Sequence, residues 1–103
     1  MTTTVLLNAV TATTTGRATS FDDASMCAFQ AWGTTSSGSG AATVLIEVSN
    51  DSTHFMTVGT ISLTLGTSAT QDGFVMEGSW AFVRASVTAI SGTGAAVTVT
   101  MGV

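Results

Sequence analysis

The chain of 103 residues has no proline, no tyrosine and no lysine, a single cysteine, and only two cationic residues, Arg17 and Arg84. Each shortage excludes something. Cys27 has no partner for an intrachain disulfide, so nothing in the cysteine usage marks an oxidising compartment. Two cations cannot displace the counterions of a phosphate backbone, and a net charge of −4 weighs equally against nucleic acid and against an anionic membrane surface. The start, from Met1 to Asn8, lacks the basic segment and long apolar core of a signal peptide. No apolar run approaches the ~20 residues needed to span a bilayer. The expectation is a protein made in the cytoplasm without a recognisable export signal. With 8% charged residues the surface is neutral and hydroxyl-rich, which favours burial against other subunits.

Thr, Ser, Ala and Gly dominate what is present. Thr and Val favour strands because a branched Cβ restricts χ1 and packs well on a pleated surface. Glu, Lys, Gln and Leu are scarce or absent, so the reading is all-β within one domain. From Trp80 to Met101 the alternation is regular. Val83, Ala85, Val87 and Ala89 share one parity, and Ala95, Val97, Val99 and Met101 share another run. Gly92 and Gly94 separate the two, so an antiparallel hairpin is expected there, and the rest of the fold is expected to pack around it.

Thr3–Val10 reads as a first strand with apolar residues on both parities, consistent with cover on both faces or with a terminal arm docking on a neighbour. Thr11–Ser25 reads as a long surface loop anchored by Phe21. Residues 1–25 as a whole are expected to make inter-subunit contacts. Met26–Trp32 alternates as a second strand, with Cys27, Phe29 and Ala31 on one parity. Gly33–Gly40 has the composition of a flexible connection. Ala41–Ser49 is a third strand with Val44, Ile46 and Val48 inward and Leu45 and Glu47 outward, and Asn50–Thr53 closes it as a turn. In Phe55–Leu65 the apolar parity switches at Gly59-Thr60, the mark of a β-bulge or of two strands joined by a kink. Gly66–Gly73 reads as a polar turn and Phe74–Met76 as a short strand or edge segment. Six to eight strands with regular turn signals predict an antiparallel β-sandwich or a jelly-roll-like barrel.

No catalytic constellation emerges. His54 and Cys27 lack any motif that pairs them as base and nucleophile. They are also too few soft ligands for zinc, and no cofactor motif is present. Asp22-Asp23 and Asn50-Asp51 lack the alternating spacing of a calcium loop and read as solvated turn residues. No serine sits in a nucleophile elbow, and Ser37-Gly38-Ser39-Gly40 lacks the lysine of a phosphate cradle. A non-enzymatic protein is expected. Trp80 reads as a pin at one end of the core, with a sugar-stacking platform at Trp32 or Trp80 as the alternative. Arg84 is read as a cross-strand partner of Glu47 or as an interface residue.

The runs Ala42-Thr-Val-Leu-Ile-Glu-Val-Ser-Asn-Asp51, Phe55, Val58-Gly-Thr-Ile-Ser-Leu63 and Trp80-Ala-Phe-Val-Arg-Ala-Ser-Val-Thr-Ala-Ile-Ser-Gly92 resemble a pattern in small structural proteins of tailed bacteriophages. Phe55 stands where that pattern often has a tryptophan, and the resemblance covers about residues 41–103. It implies a β-sandwich on the virion, of the head decoration or cement type, that binds between capsomers as a homodimer or homotrimer. The partners implied are a second copy and the major capsid protein, at the capsid surface. The candidate interface residues are Val5, Leu6, Leu7, Phe21, Trp32 and Arg84. A tail or fibre module that binds host glycans is the alternative, and a cellular adhesin module is a third reading. Thr43–Val48 and Val97–Met101 are β-rich, nearly uncharged and free of proline, so exposure at a sheet edge would drive self-association.

Overall fold

The computed structural model describes residues 3–20, 26–78 and 80–103. Among these, nine strands and no helix form two antiparallel sheets packed as a sandwich. The strands are β1 (Thr3–Val10), β2 (Thr14–Thr15), β3 (Thr19–Ser20), β4 (Met26–Thr34), β5 (Ser37–Ser49), β6 (Met56–Leu65), β7 (Thr70–Glu77), β8 (Phe82–Thr93) and β9 (Ala96–Gly102). The first sheet has the order β1-β9-β4-β7, and the second β2-β8-β5-β6 with β3 also paired to β8.

The expected hairpin over 80–101 does not form. β8 and β9 lie in opposite sheets, and their apolar parities meet across the core instead of side by side. Alternation fits both arrangements, because each leaves one face of each strand inward. The corner residues decide. Gly92 and Gly94 have φ of 114° and 65°, values open to glycine, and the Ala95 amide donates to the Gly92 carbonyl at 3.3 Å. A Cβ at Gly94 would fall 2.3 Å from the Ser36 hydroxyl oxygen, because a second corner packs against this one. Thr35–Ser36 turns β4 into β5, again between sheets. The Ser36 amide donates to the Thr93 carbonyl at 2.9 Å, and the Thr35 amide to the Gly66 carbonyl of the β6–β7 corner at 2.8 Å. Three inter-sheet corners are thus stitched together at one end.

Those corners also correct two loop assignments. The expected flexible stretch Gly33–Gly40 is mostly strand, and the expected polar turn Gly66–Gly73 is a turn only over residues 66–69 before β7 begins, since glycine and serine are carried along by backbone pairing once the neighbouring strands are in place. The expected loop Thr11–Ser25 contributes β2 and β3 to the margin of β8, with the Gly16 amide donating to the Ala85 carbonyl at 2.7 Å. Phe21 and Asp22-Asp23 lie outside the described residues.

The phase switch in Phe55–Leu65 is a bulge, as expected. Ile46 pairs with Gly59 and Glu47 with Thr57, leaving Val58 as the extra residue. A similar irregularity lies at Thr88, between the pairs Val44–Val87 and Thr43–Ala89. It turns Ala89 outward, against expectation, and lets Ile90 pack on the core. In β1, Val5 pairs with Thr100 and Leu7 with Val99, so Leu6 is the extra residue and both leucines are buried. Their apolar residues on both parities therefore reflect a bulge. Thr43–Val48 and Val97–Met101 are interior, in β5 between β6 and β8 and in β9 between β1 and β4. The edge-exposure argument for self-association therefore falls away.

Candidate interaction surfaces

The outward face of the first sheet is built by simple alternation. Cys27, Phe29 and Ala31 of β4 point into the core, so Met26, Ala28, Gln30 and Trp32 face out. Register aligns Thr3, Gly102, Ala28 and Val75 in one row across the sheet, and Val5, Thr100, Gln30 and Gly73 in the next. Trp32 lies half-buried between Thr98 and Gln71. Three of the four exposed large hydrophobic residues, Val5 (55%), Met26 (53%) and Val75 (62%), collect on this face. A shallow groove of about 210 Å³ runs between Met26, Ala28, Val75 and Val103. Cys27 sits beneath it, and burial raises its thiol pKa above the ordinary value. The described residues of this outward face carry one ionisable side chain, Glu77, at its margin.

Of the expected interface residues, Val5 and Trp32 come together here. Leu6 and Leu7 are turned into the core, and Arg84 lies on the outward face of the other sheet. There Glu47 is directly opposite Arg84, and its carboxylate accepts from Arg84 Nε at 3.2 Å and from the Ser86 hydroxyl at 2.7 Å. The Arg84 guanidinium lies 3.8 Å from the centroid of the Phe55 ring. The partner reading of Arg84 thus matches the geometry.

Phe55 leads to a second cluster, at the end of the sandwich opposite the stitched corners. The turn after β5 is knitted by Asp51. Its carboxylate accepts from the amides of Thr53 (2.9 Å) and His54 (2.8 Å), from the Ser49 hydroxyl (2.8 Å) and from His54 Nδ1 (2.7 Å). These bonds hold the carboxyl well below the usual carboxylate range, the His54 amide foremost, then the His54 ring, the Thr53 amide and the Ser49 hydroxyl. Asn50 Oδ1 accepts from the Ala81 amide at 3.3 Å, tying the turn to the segment that enters β8. Between them opens a cleft of about 340 Å³, with Val48, Phe55, Met56 and Trp80 as its apolar lining and Asn50, Asp51 and His54 at its rim. Trp80 both packs on the core and lines this cleft. Reading the sequence left His54 and Asn50 as ordinary turn residues, because nothing local links them to a tryptophan some twenty-five or more positions away.

No protein-family model matches the chain, and no curated protein matches it. Among solved structures the chain is similar to the PBSX exported protein XepA. The likeness has a TM-score of 0.63 at 14% sequence identity and covers 97% of this chain and 36% of that one. At that identity the likeness shows the fold alone, a β-sandwich. The chain spans little more than a third of the length of XepA.

Positions of the phage-like pattern that lie far apart in sequence converge in the second cluster. Asn50, Asp51, Phe55, Trp80 and Arg84 all lie at or beside the cleft. Among the described residues no three His, Cys, Asp or Glu side chains converge as a metal site would require.

Proposed function

We propose that the chain is a non-enzymatic structural protein of a phage virion, of the decoration or cement type, which self-associates and binds the major capsid protein at the head surface. The observation that carries this reading is the outward face of the first sheet, where Met26, Val75 and Val103 line one groove, Val5 is exposed on the same face, and Glu77 is the one ionisable side chain among the described residues. Apolar side chains exposed on one face of a small domain mark a contact site. The occupant is a second copy of this chain. At a net charge of −4, two copies repel unless they meet where charge is sparse, and this face meets that condition. Four strands about 4.8 Å apart and roughly eight residues long give a flat area of about 500 Å². Side-chain relief raises its accessible area toward the ~800 Å² per partner of a standard interface. The phage-like pattern over residues 41–103 supports the virion setting, and the PBSX exported protein XepA shares the sandwich fold.

Sedimentation velocity on the purified chain tests the self-association. A dimer or trimer at micromolar concentration is expected, and Val75→Glu and Met26→Glu are expected to yield folded monomers. A wild-type chain that stays monomeric refutes the contact. Co-sedimentation with shells assembled from the major capsid protein of the same genome tests the capsid partner, and absence of the chain from the shell pellet refutes that part.

A further inference from the structure

We propose that the cleft between the Asn50–Phe55 turn and Trp80 binds the ring of a neutral sugar. The proposal goes beyond the assembly reading and does not depend on it. At about 340 Å³ the cleft falls near the lower end of the roughly 300–1,000 Å³ typical of small-molecule sites. Its lining is apolar and aromatic, from Val48, Phe55, Met56 and Trp80. The Phe55 ring is fixed from one side by the Arg84 guanidinium, itself held by Glu47, so this part of the wall is ordered before a ligand arrives.

The rim supplies two polar groups. Asn50 Oδ1 is taken by the Ala81 amide, which orients Nδ2 with two hydrogens that have no partner among the described residues. His54 Nδ1 lies 2.7 Å from Asp51 Oδ2. The Asp51 carboxyl is ionised and cannot donate, so Nδ1 carries a proton, and Nε2 is left as the ring's second polar atom, with no partner among the described residues. A sugar ring matches this set. Its hydroxyls both donate and accept, and its C–H face packs on aromatic carbon.

Other ligand classes fit less well. A phosphate or carboxylate meets the Asp51 charge and the net charge of −4. A cation finds the Asp51 oxygens already occupied by four donors of its own turn. A pure hydrocarbon desolvates Asn50 and His54 without replacing their water bonds.

The test is a titration of the ¹⁵N-labelled chain with glucose, galactose and N-acetylglucosamine, followed by amide and indole shifts. With at least one of these sugars, saturable shifts centred on Asn50, His54, Phe55 and the Trp80 indole are expected, with a dissociation constant in the roughly millimolar range. His54→Ala and Asn50→Ala should each weaken binding on the order of five-fold, the size of one lost hydrogen bond, while Trp32→Ala leaves it unchanged. Both test residues are exposed, so their replacement spares the core, and thermal unfolding of each variant verifies this. No saturable shift at these positions with any of the three sugars overturns the proposal. So does an affinity unchanged in both variants, or a response centred on Trp32. The monomeric Val75→Glu chain must bind the sugar as the wild type does, which separates this outcome from that of the assembly test.

Discussion

Gly59→Ala is expected to destabilise the protein, and the sign of its effect should reverse once Phe74 is removed. Gly59 follows the bulged Val58 in β6 of the second sheet, whereas Phe74 belongs to β7 of the first. A Cβ at Gly59 would come 2.2 Å from Phe74 Cζ and 2.6 and 2.8 Å from its two Cε atoms. The ring has little room to retreat, because its centroid is 5.3 Å from that of Phe29, a core residue only 1% exposed. Gly59 is not among the residues with positive φ, so alanine brings no backbone strain and the cost is steric. Overpacking of this kind costs about 1–3 kcal/mol, part of it drawn from an aromatic pair that contributes ~0.5–1.5 kcal/mol. In a Phe74→Ala background the obstacle is gone. Alanine should then stabilise the strand relative to glycine by ~0.5–1 kcal/mol. The two backgrounds therefore differ by roughly 1.5–4 kcal/mol, a coupling well above the error of a double-mutant cycle. Urea denaturation reads this directly. With a slope of ~1–3 kcal/mol/M, the midpoint of Gly59→Ala should fall on the order of 1 M below wild type. A neutral Gly59→Ala, or an equal cost in both backgrounds, refutes the view that Phe74 closes this side of the sandwich over Gly59.

Three further outcomes follow from the same contacts. Glu47→Ala leaves both Arg84 and the buried Ser86 hydroxyl without their acceptor and should cost about 2–3 kcal/mol. Arg84→Ala keeps the Ser86 bond and should cost only ~1 kcal/mol, so the reverse order in chemical denaturation would contradict the geometry. Because the Asp51 carboxyl is held below its ordinary range, its contribution is complete above about pH 4 and is lost as pH falls through the lowered folded value. The stability gap between wild type and Asp51→Asn should accordingly shrink on acidification, and a gap that widens in acid-range melts would exclude the proposed turn. In hydrogen exchange, the β4, β5 and β9 amides should be the slowest of the strands, since each of these strands is paired along its length on both sides, and β9 amides that exchange like those of edge strands β1 and β7 would rule out the sheet order.

The sandwich class was legible in the chain, as were individual features within it. The phase switch near Gly59 is a bulge, Asn50–Thr53 is a turn, and Glu47 lies opposite Arg84. All three are local or follow from side-chain period. The site was less legible. Trp80 and Phe55 stood out as aromatics, yet the roles of Asn50 and His54 depend on a segment that reaches them only after β6 and β7 have run their course.

Alternation by itself determined the buried face of β4, β5 and β9 and of β8 as far as Val87, because a strand offers one face to the core whatever lies beside it, and it misled only where a bulge shifts the phase, at Leu6 and beyond Thr88. Only the tertiary structure decided which strands share a sheet. Val83–Val87 and Val97–Met101 satisfy the same inward pattern as a hairpin or as opposing walls. The choice between them rests on contacts among the Thr35–Ser36, Gly66–Ala69 and Gly94–Ala95 corners, which are distant in sequence and adjacent only in the folded chain.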